Sequence, residues 1–359
     1  MPPTVHAQPL TDFGRDVLVA TGVPPTDAQL LADSLVTAEL WGHSSHGMLR
    51  LPWYVERLRS GAMTPVTDPL PVIDHGPVVV VDGRHGIGQV LTDHAVKLGV
   101  ERARQHGVSV VGVRNSNHFG TAAYFTRQAA EQGCVAFLAT NASPAMAPWG
   151  GRAKSIGTNP WSIAAPAGDR GVVVMDIANT AVARGKIYLA AERGEPIPDT
   201  WAADVNGVPT TDARAAIEGL ILPMAGHKGY VISFMMDVLA GVLTGSHFGE
   251  GVAGPYDPTR KSGCGHLLIT IDVNAMMPLA EFEGRLEALI AEVKAVPTAE
   301  GVQAIFFPGE LEERNTARHR QEGLQIADLT WNSLTRLSAE TGVPLPATVP
   351  VPSPAEVAL

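Results

Sequence analysis

The sequence predicts an α/β protein whose helical part is built from both ends of the chain. Three observations carry this. Strand-like and helix-like patterns alternate through the middle of the 359 residues, amphipathic helical patterns precede and follow that stretch, and a 45% hydrophobic composition supplies core for more than one domain.

Residues 11–60 read as helical: Thr26 can cap a segment in which Leu30, Leu31, Leu35, Val36 and Leu40 share one face, and a shorter helix follows over 51–58. Pro65, Pro69 and Pro71 end this region, and the valines of 78–81 before Asp82 and Gly83 form a strand closed by a turn. Further strands are expected at 108–113, 135–139, 162–165, 172–176, 267–273 and 302–307, with helices at 88–105, 121–132, 180–193, 229–243 and 278–295. Pattern alone leaves the sheet parallel, antiparallel or mixed. A last helix over 326–337, with Leu329, Leu334 and Leu337, is expected to pack on the N-terminal helices. The domain expectation is therefore a helical part over 1–70, an α/β part over 71–300 and a return to the helical part over 301–359, ending in an extended Pro/Val/Ala-rich tail.

Charge and cysteine content narrow the function. Acidic residues outnumber basic ones 36 to 26, with no dense basic run, which argues against a nucleic-acid partner. Cys134 and Cys264 are the only cysteines, too few for a disulfide framework or a four-thiolate metal site. No apolar run is long enough for a membrane span and no secretory pattern opens the chain, so a cytoplasmic location without membrane attachment is the default expectation.

Four polar runs carry chemical potential. Gly42-His43-Ser44-Ser45-His46-Gly47-Met48-Leu49-Arg50 brings a hydroxyl, an imidazole and a fixed cation together in Ser45, His46 and Arg50, a set suited to holding a ribose, an amide or a carboxylate. His43 and Ser44 are equally well explained as the end of the preceding helix. Arg114-Asn115-Ser116-Asn117-His118-Phe119-Gly120 follows a strand, where α/β proteins keep much of their chemistry, and His118 can exchange protons near neutral pH or simply bond the helix that follows. A long Pro/Gly loop runs from Thr140-Asn141 to Gly157-Thr158-Asn159-Pro160; its side chains can serve a ligand or pin turns. Gly226-His227-Lys228-Gly229-Tyr230 opens a helix and combines free backbone N–H groups with a lysine, which suits a phosphate. Gly83-Arg84-His85-Gly86-Ile87-Gly88 does not match the G-x-G-x-x-G dinucleotide pattern, and His43 with His46 lacks the further ligands a metal needs, so no metal is expected.

Taken in register, these runs and Pro308-Gly309-Glu310 resemble the malate/L-lactate dehydrogenase family that is distinct from the Rossmann-fold lactate and malate dehydrogenases and that includes ureidoglycolate, sulfolactate, diketogulonate and cyclic imino acid oxidoreductases. The resemblance covers nearly the whole chain. It implies a non-Rossmann nicotinamide-binding fold with a largely antiparallel sheet, NAD or NADP as cofactor, and a homodimer whose active site both subunits complete. It also implies His118 as the catalytic proton donor and acceptor, Arg50 as the carboxylate binder, Ser45 and His46 meeting cofactor or substrate, and Asn141, Thr158, Asn159, Asp176 and Lys228 on the cofactor side. The chemistry is hydride transfer at C2 of a small 2-oxo or 2-hydroxy acid, with His118 titrating near its reference value. Reduction of a cyclic imino acid such as piperideine-2-carboxylate is the nearest alternative; a cofactor-independent hydrolase or lyase and a non-catalytic metabolite-binding dimer are the others.

Overall fold

The computed structural model describes residues 2–349, so most of the expected extended tail, residues 350–359, lies outside the described residues. The chain opens with a short strand β1 (Thr4–Val5) and helices α1 (Ala7–Ala20), α2 (Pro25–Trp41) and α3 (Leu51–Ser60). Thr26 does not cap α2. The helix begins one residue earlier, with Pro24 at the cap position and Pro25 in the first turn, where its missing N–H costs nothing. Gly42, at φ 87°, then takes the left-handed conformation that stops α2.

The middle of the chain supplies β2 (Leu70–Asp74), β3 (Val78–Asp82), α4 (Gly88–His106), β4 (Val108–Ser116), α5 (Ala123–Ala130), β5 (Cys134–Thr140), β6 (Trp161–Pro166), β7 (Val172–Ile177) and α6 (Arg184–Arg193). A two-strand ribbon of β8 (Ala202–Ala203) and β9 (Leu220–Ile221) encloses α7 (Ala213–Glu218), and α8 (His227–Asp237) runs on into a π-turn over Val238–Val242. The rest is β10 (Cys264–Asp272), α9 (Leu279–Lys294), α10 (Glu310–Glu322), β11 (Leu324–Gln325) and α11 (Asp328–Thr341).

Seven strands form one sheet in the order β2-β3-β4-β10-β5-β6-β7. Only the β3–β4 pair, joined by the α4 crossover, is parallel; every other neighbouring pair is antiparallel. Pro71 fits in β2 because β2 is an edge strand, where a missing donor breaks no ladder. Strand β10 lies at the centre and is buried almost throughout, which is why its sequence reads as a continuous apolar run. Helices α4 and α5 cover one face through Leu91, Val96, Val100 and Phe125. A separate core joins α1, α2 and α3 to Leu324, Ile326, Leu334 and Leu337 from the C-terminal end.

Strand β2, helix α7 and the β8–β9 ribbon were not among the expected elements, and two further departures have a clear cause. The strand expected at 302–307 does not form: the segment passes the β7 edge with one bond, from Val174 N to Pro308 O at 3.1 Å. Its aromatics pack under cations instead, Phe306 beneath Arg314 and Phe307 beneath Lys294. Helix α10 was not anticipated, because its sequence is charged on all sides and has no apolar stripe. It docks on the end of α2, where Asn315 Nδ2 and His319 Nδ1 bond the carbonyls of Trp41 and Leu40 at 3.0 and 2.8 Å and satisfy part of that helix terminus.

Among the described residues no helix is long and apolar enough to cross a membrane. One apolar face lies open: Val231, Phe234, Val242, Leu243 and Phe248, along α8 and the π-turn, are 50–63% exposed. The inner side of that turn is tight, since a Cβ on Gly265 of β10 would lie 1.7 Å from Ala240 O. Gly265→Ala should therefore cost at least about 2 kcal/mol through overpacking and lower Tm by several degrees. An unchanged thermal unfolding midpoint would show that β10 and the π-turn are not so closely apposed.

Candidate active site

The end of α2 and the start of α3 are joined by two tight turns, Ser44–His46 and Met48–Arg50, and a buried carboxylate sets their shape. Glu39, 5% exposed, accepts from Met48 N at 2.8 Å, and burial pushes its carboxyl above the usual range. Gly47 permits this approach: a Cβ there would stand 2.2 Å from Glu39 Oε1, so any other residue would make the carboxylate move. The loop so formed presents Ser45, whose hydroxyl is 2.9 Å from His46 Nδ1, and Arg50, whose Nε donates to Ser45 O at 2.7 Å while its guanidinium carbon lies 4.5 Å above the Trp53 ring. His43 turns away to Glu312, 3.2 Å off.

From the other side, the polar run after β4 brings in His118. Its ring stacks on that of His46 with centroids 5.8 Å apart, and its Nδ1 lies 2.6 Å from the Tyr54 hydroxyl. Gly120 N also points at Nδ1, from 3.2 Å. A backbone N–H can only donate, so Nδ1 is an acceptor and the neutral ring carries its proton on Nε2. The segment is held from below, because a Cβ on Gly88 would lie 2.3 Å from Asn117 O and 2.5 Å from His118 O. The glycines that failed the dinucleotide pattern thus include one that lets the start of α4 press against the His118 backbone.

Burial, then the charge of Arg50, hold His118 well below its usual value, which corrects the expectation that it titrates near its reference. His46 is pushed down to about 3, chiefly by burial and then by Arg50, so it serves as a neutral hydrogen-bonding ring. Ser45, His46, Arg50 and His118, expected from sequence, are therefore brought together.

The residues expected on the cofactor side are placed less uniformly. Asn141 donates to Asp237 Oδ1 and His247 O and accepts from Gly265 N, and Asn159, at φ 37°, accepts from Ala142 N and donates to Ser233 O; both are buried and committed to internal bonds. Asp176 accepts from Ala123 N at the start of α5, its carboxyl pushed up by burial. Thr158 contributes its carbonyl to Asn179. Lys228 is exposed in the first turn of α8 and forms no ion pair with a described carboxylate, and the Gly226 cap leaves the N–H groups there without a side-chain acceptor. Gly229 packs against Asn179 O, where a Cβ would be 2.6 Å away, so this turn and the 157–159 loop form one wall. Gly229 N is taken by Met224 O, so the N–H groups of His227 and Lys228, beside the exposed lysine side chain, are the ones that fit a phosphate of a dinucleotide.

Sequence reasoning missed Tyr54, Arg57, Gln89 and Glu39. Tyr54 and Arg57 lie one and two turns beyond Arg50 on the same helical face, a spacing that could have found them. Arg57 is 1% exposed, with its guanidinium bonded to Asn117 Oδ1, Ser262 Oγ and the carbonyls of Gly254, Asp257 and Arg260, so it ties the 254–262 loop to the floor of the site. The buried amide of Gln89, beside Tyr54 and Gly120, has no hydrogen-bond partner among the described residues.

Three comparisons with known proteins point to one family. The family model described as malate/L-lactate dehydrogenase matches residues 5–335. L-sulfolactate dehydrogenase of Methanothermobacter thermautotrophicus is 37% identical over 331 residues, covering 92% of this chain and 95% of the relative. Among solved structures, sulfolactate dehydrogenase from Methanocaldococcus jannaschii superposes with a TM-score of 0.89 at 36% identity, covering 95% of this chain and 98% of that one. Malate dehydrogenase from Entamoeba histolytica superposes with a TM-score of 0.92 at 27% identity, covering 97% and 100%.

The Glu39 arrangement yields a direct test. Gly47→Ala should displace Glu39 from Met48 N, swing Arg50 and His46 out of register and lower kcat/KM at least tenfold, whereas Glu39→Gln, which keeps an acceptor, should lose much less. Equal activity for Gly47→Ala and wild type would show that the carboxylate does not shape the loop.

Proposed function

The chain belongs to the malate/L-lactate dehydrogenase family, with its non-Rossmann fold, and is an NAD(P)-dependent oxidoreductase of small 2-oxo or 2-hydroxy acids; from that premise we propose the following division of labour in its site. The carrying observation is the convergence of Arg50, His46 and Tyr54 on His118.

The nicotinamide group, when bound, supplies or receives the hydride at C2. Arg50 orients the substrate carboxylate through its planar fork, steadied by Ser45 O and the Trp53 ring. His118 Nε2 faces the C2 oxygen. In reduction the protonated ring stabilises the developing alkoxide and gives up its Nε2 proton, leaving the other proton on Nδ1; oxidation runs back through that same tautomer, so the resting ring must first move its proton from Nε2 to Nδ1 before Nε2 can take the hydroxyl proton. Protonation makes Nδ1 a donor, so the Tyr54 hydroxyl must turn and accept, and the Gly120 N–H loses its acceptor. That loss adds to burial in favouring the neutral ring. Lys228 and the opening of α8 hold a cofactor phosphate, with Thr158 and the Asn141, Asn159 and Asp176 frame shaping the adjoining wall.

The dimer contact is assigned to the open apolar face of α8 and the π-turn. The apolar faces of α1, α2 and α3 are spent largely on their own core, as are Leu334 and Leu337 of α11, although Leu329 is exposed and not packed there as expected, whereas α8 and the π-turn leave theirs open. Two copies meeting there would bring a second chain beside Lys228, in keeping with a site that both subunits complete. Light scattering should give twice the chain mass, and Leu243→Glu should reduce it; an active wild-type monomer would remove this assignment.

Kinetics test the catalytic roles. His118→Asn should lower kcat by roughly 10²- to 10⁴-fold with cofactor affinity retained, and Arg50→Lys should raise substrate KM far more than cofactor KM. Because the His118 pKa is depressed, the neutral ring already predominates at pH 7, and its tautomer balance does not depend on pH. Oxidation kcat/KM should then stay level down through the usual histidine range and fall only below it, while reduction kcat/KM should climb as pH drops through neutral. A shared limb at the ordinary histidine value, or turnover by His118→Asn near the wild-type rate, would contradict the assignment.

A further inference from the structure

Helix α4 opens against the backbone of His118, and its second residue is a buried amide that the fold leaves without partners. Gly88 brings the start of α4 against the His118 carbonyl, while Ile87 and Val90 pack into the core that holds Tyr54. Gln89 stands between them, fully buried, with neither Oε1 nor Nε2 hydrogen-bonded among the described residues. Its Nε2 lies 3.9 Å from where a Cβ on Gly120 would stand, and Gly120 is the residue whose N–H meets His118 Nδ1. The same amide adjoins the Tyr54 hydroxyl. A buried amide without partners is costly, which points to a partner that another state of the site supplies.

The reaction assigned above creates such a state. Catalysis in either direction passes through a ring with its proton on Nδ1, and there the Tyr54 hydroxyl turns to accept. Tyr54 does not answer by ionising, because burial pushes its hydroxyl up to about 12, against the smaller opposing effects of Arg50 and Gln89. Its O–H must then find an acceptor, yet its one hydrogen bond among the described residues is to His118. The neighbouring side chains offer little. Arg50 and Arg57 only donate, His266 has both ring nitrogens engaged by Thr140 and Ser116, His46 Nδ1 is engaged by Ser45, and the Cys264 thiol is a weak acceptor. Gln89 Oε1 is a carbonyl acceptor with both lone pairs free.

We propose that Gln89 is a positioning residue for His118: its Oε1 accepts the Tyr54 O–H whenever that hydroxyl turns to receive Nδ1–H, and this makes the Nδ1-protonated ring accessible. The proposal rests on the C2 reaction assigned above. In the resting protein Tyr54 donates to Nδ1 and the amide stays unpartnered; in the active state the hydroxyl turns and the amide rotates about its last bond to bring Oε1 to it. No proton leaves Tyr54. A trapped water bonded to Gln89 in every state is the competing account of the amide.

The test compares Gln89→Met, Tyr54→Phe and the double variant with wild type by steady-state kinetics on pyruvate and lactate and on oxaloacetate and malate. Thermal unfolding accompanies it, with nitrogen-15 NMR titration of His118 alone and with oxamate, whose amide carbonyl is not reduced. Methionine fills similar space without an acceptor, so kcat should fall roughly 5- to 100-fold in both directions while substrate and cofactor KM stay within about threefold. In the Tyr54→Phe background the same substitution should change kcat by less than about twofold, because no O–H is left to accept. The His118 ring of Gln89→Met should bind its proton about tenfold more weakly than that of wild type. Its unfolding midpoint should hold or rise, since an apolar chain replaces a buried amide without partners. An equal loss of kcat in the Tyr54→Phe background, a midpoint lowered by several degrees, an unchanged kcat or an unchanged ring titration would each overturn the proposal. Absence of turnover with every 2-oxo and 2-hydroxy acid would instead sink the C2 reaction, and the ring titration would still decide the role of Gln89.

Discussion

The hydrogen bond between the Tyr54 hydroxyl and His118 Nδ1, 2.6 Å long, is the contact on which the site depends. It ties helix α3, whose Tyr54 belongs to the core shared by the two chain ends, to the turn that follows β4 in the sheet. Together with Gly120 N it makes Nδ1 an acceptor and leaves the ring proton on Nε2. Burial and the neighbouring Arg50 do the rest, keeping the ring neutral in the free protein. A carboxylate arriving at Arg50 offsets part of that positive field, so substrate binding itself should raise the basicity of His118.

That bond is worth little unless both of its partners are fixed, and the chain fixes them with buried polar groups. Glu39 holds the loop ahead of α3, Arg57 gathers Asn117 and the carbonyls of the 254–262 loop, and Asn117 Nδ2 reaches back to His85 O and Gly86 O. Each group is satisfied within the fold, which makes the arrangement rigid and makes removal of any one member costly. Behind them, His266 bridges Thr140 and Ser116 at 2.8 and 2.7 Å and packs against Phe119, joining β10 to the same floor.

Much of this was legible in the sequence. The alternation that marks β3 to β7 and β10 survives because those strands are buried on at least one face, and the runs holding Ser45, His46, Arg50 and His118 declare themselves by clustering polar residues between apolar elements. The sheet's antiparallel pairing was not readable from pattern and came only with the family resemblance. Helix α10 was hidden because its order comes from capping α2 and not from an apolar stripe of its own. Tyr54 was hidden for the opposite reason: a buried aromatic on an amphipathic helix reads as core, and only the fold shows where its hydroxyl points. Asn141 stood out at a strand end and Asn159 in the long Pro/Gly loop, while Asp176 came only with the family resemblance, and the structure has all three bonding the backbone that shapes the site.

The claim at the centre is that the protein presets the protonation state of His118 before any substrate arrives. Nitrogen-15 NMR of histidine-labelled protein, with His118→Asn used to assign the resonance, measures this directly in the ligand-free state at neutral pH. The account predicts a neutral ring with the proton on Nε2 in the wild type, and a mixture of tautomers when Tyr54→Phe removes one of the two donors to Nδ1. A wild-type ring protonated on Nδ1, or doubly protonated at pH 7, would contradict it.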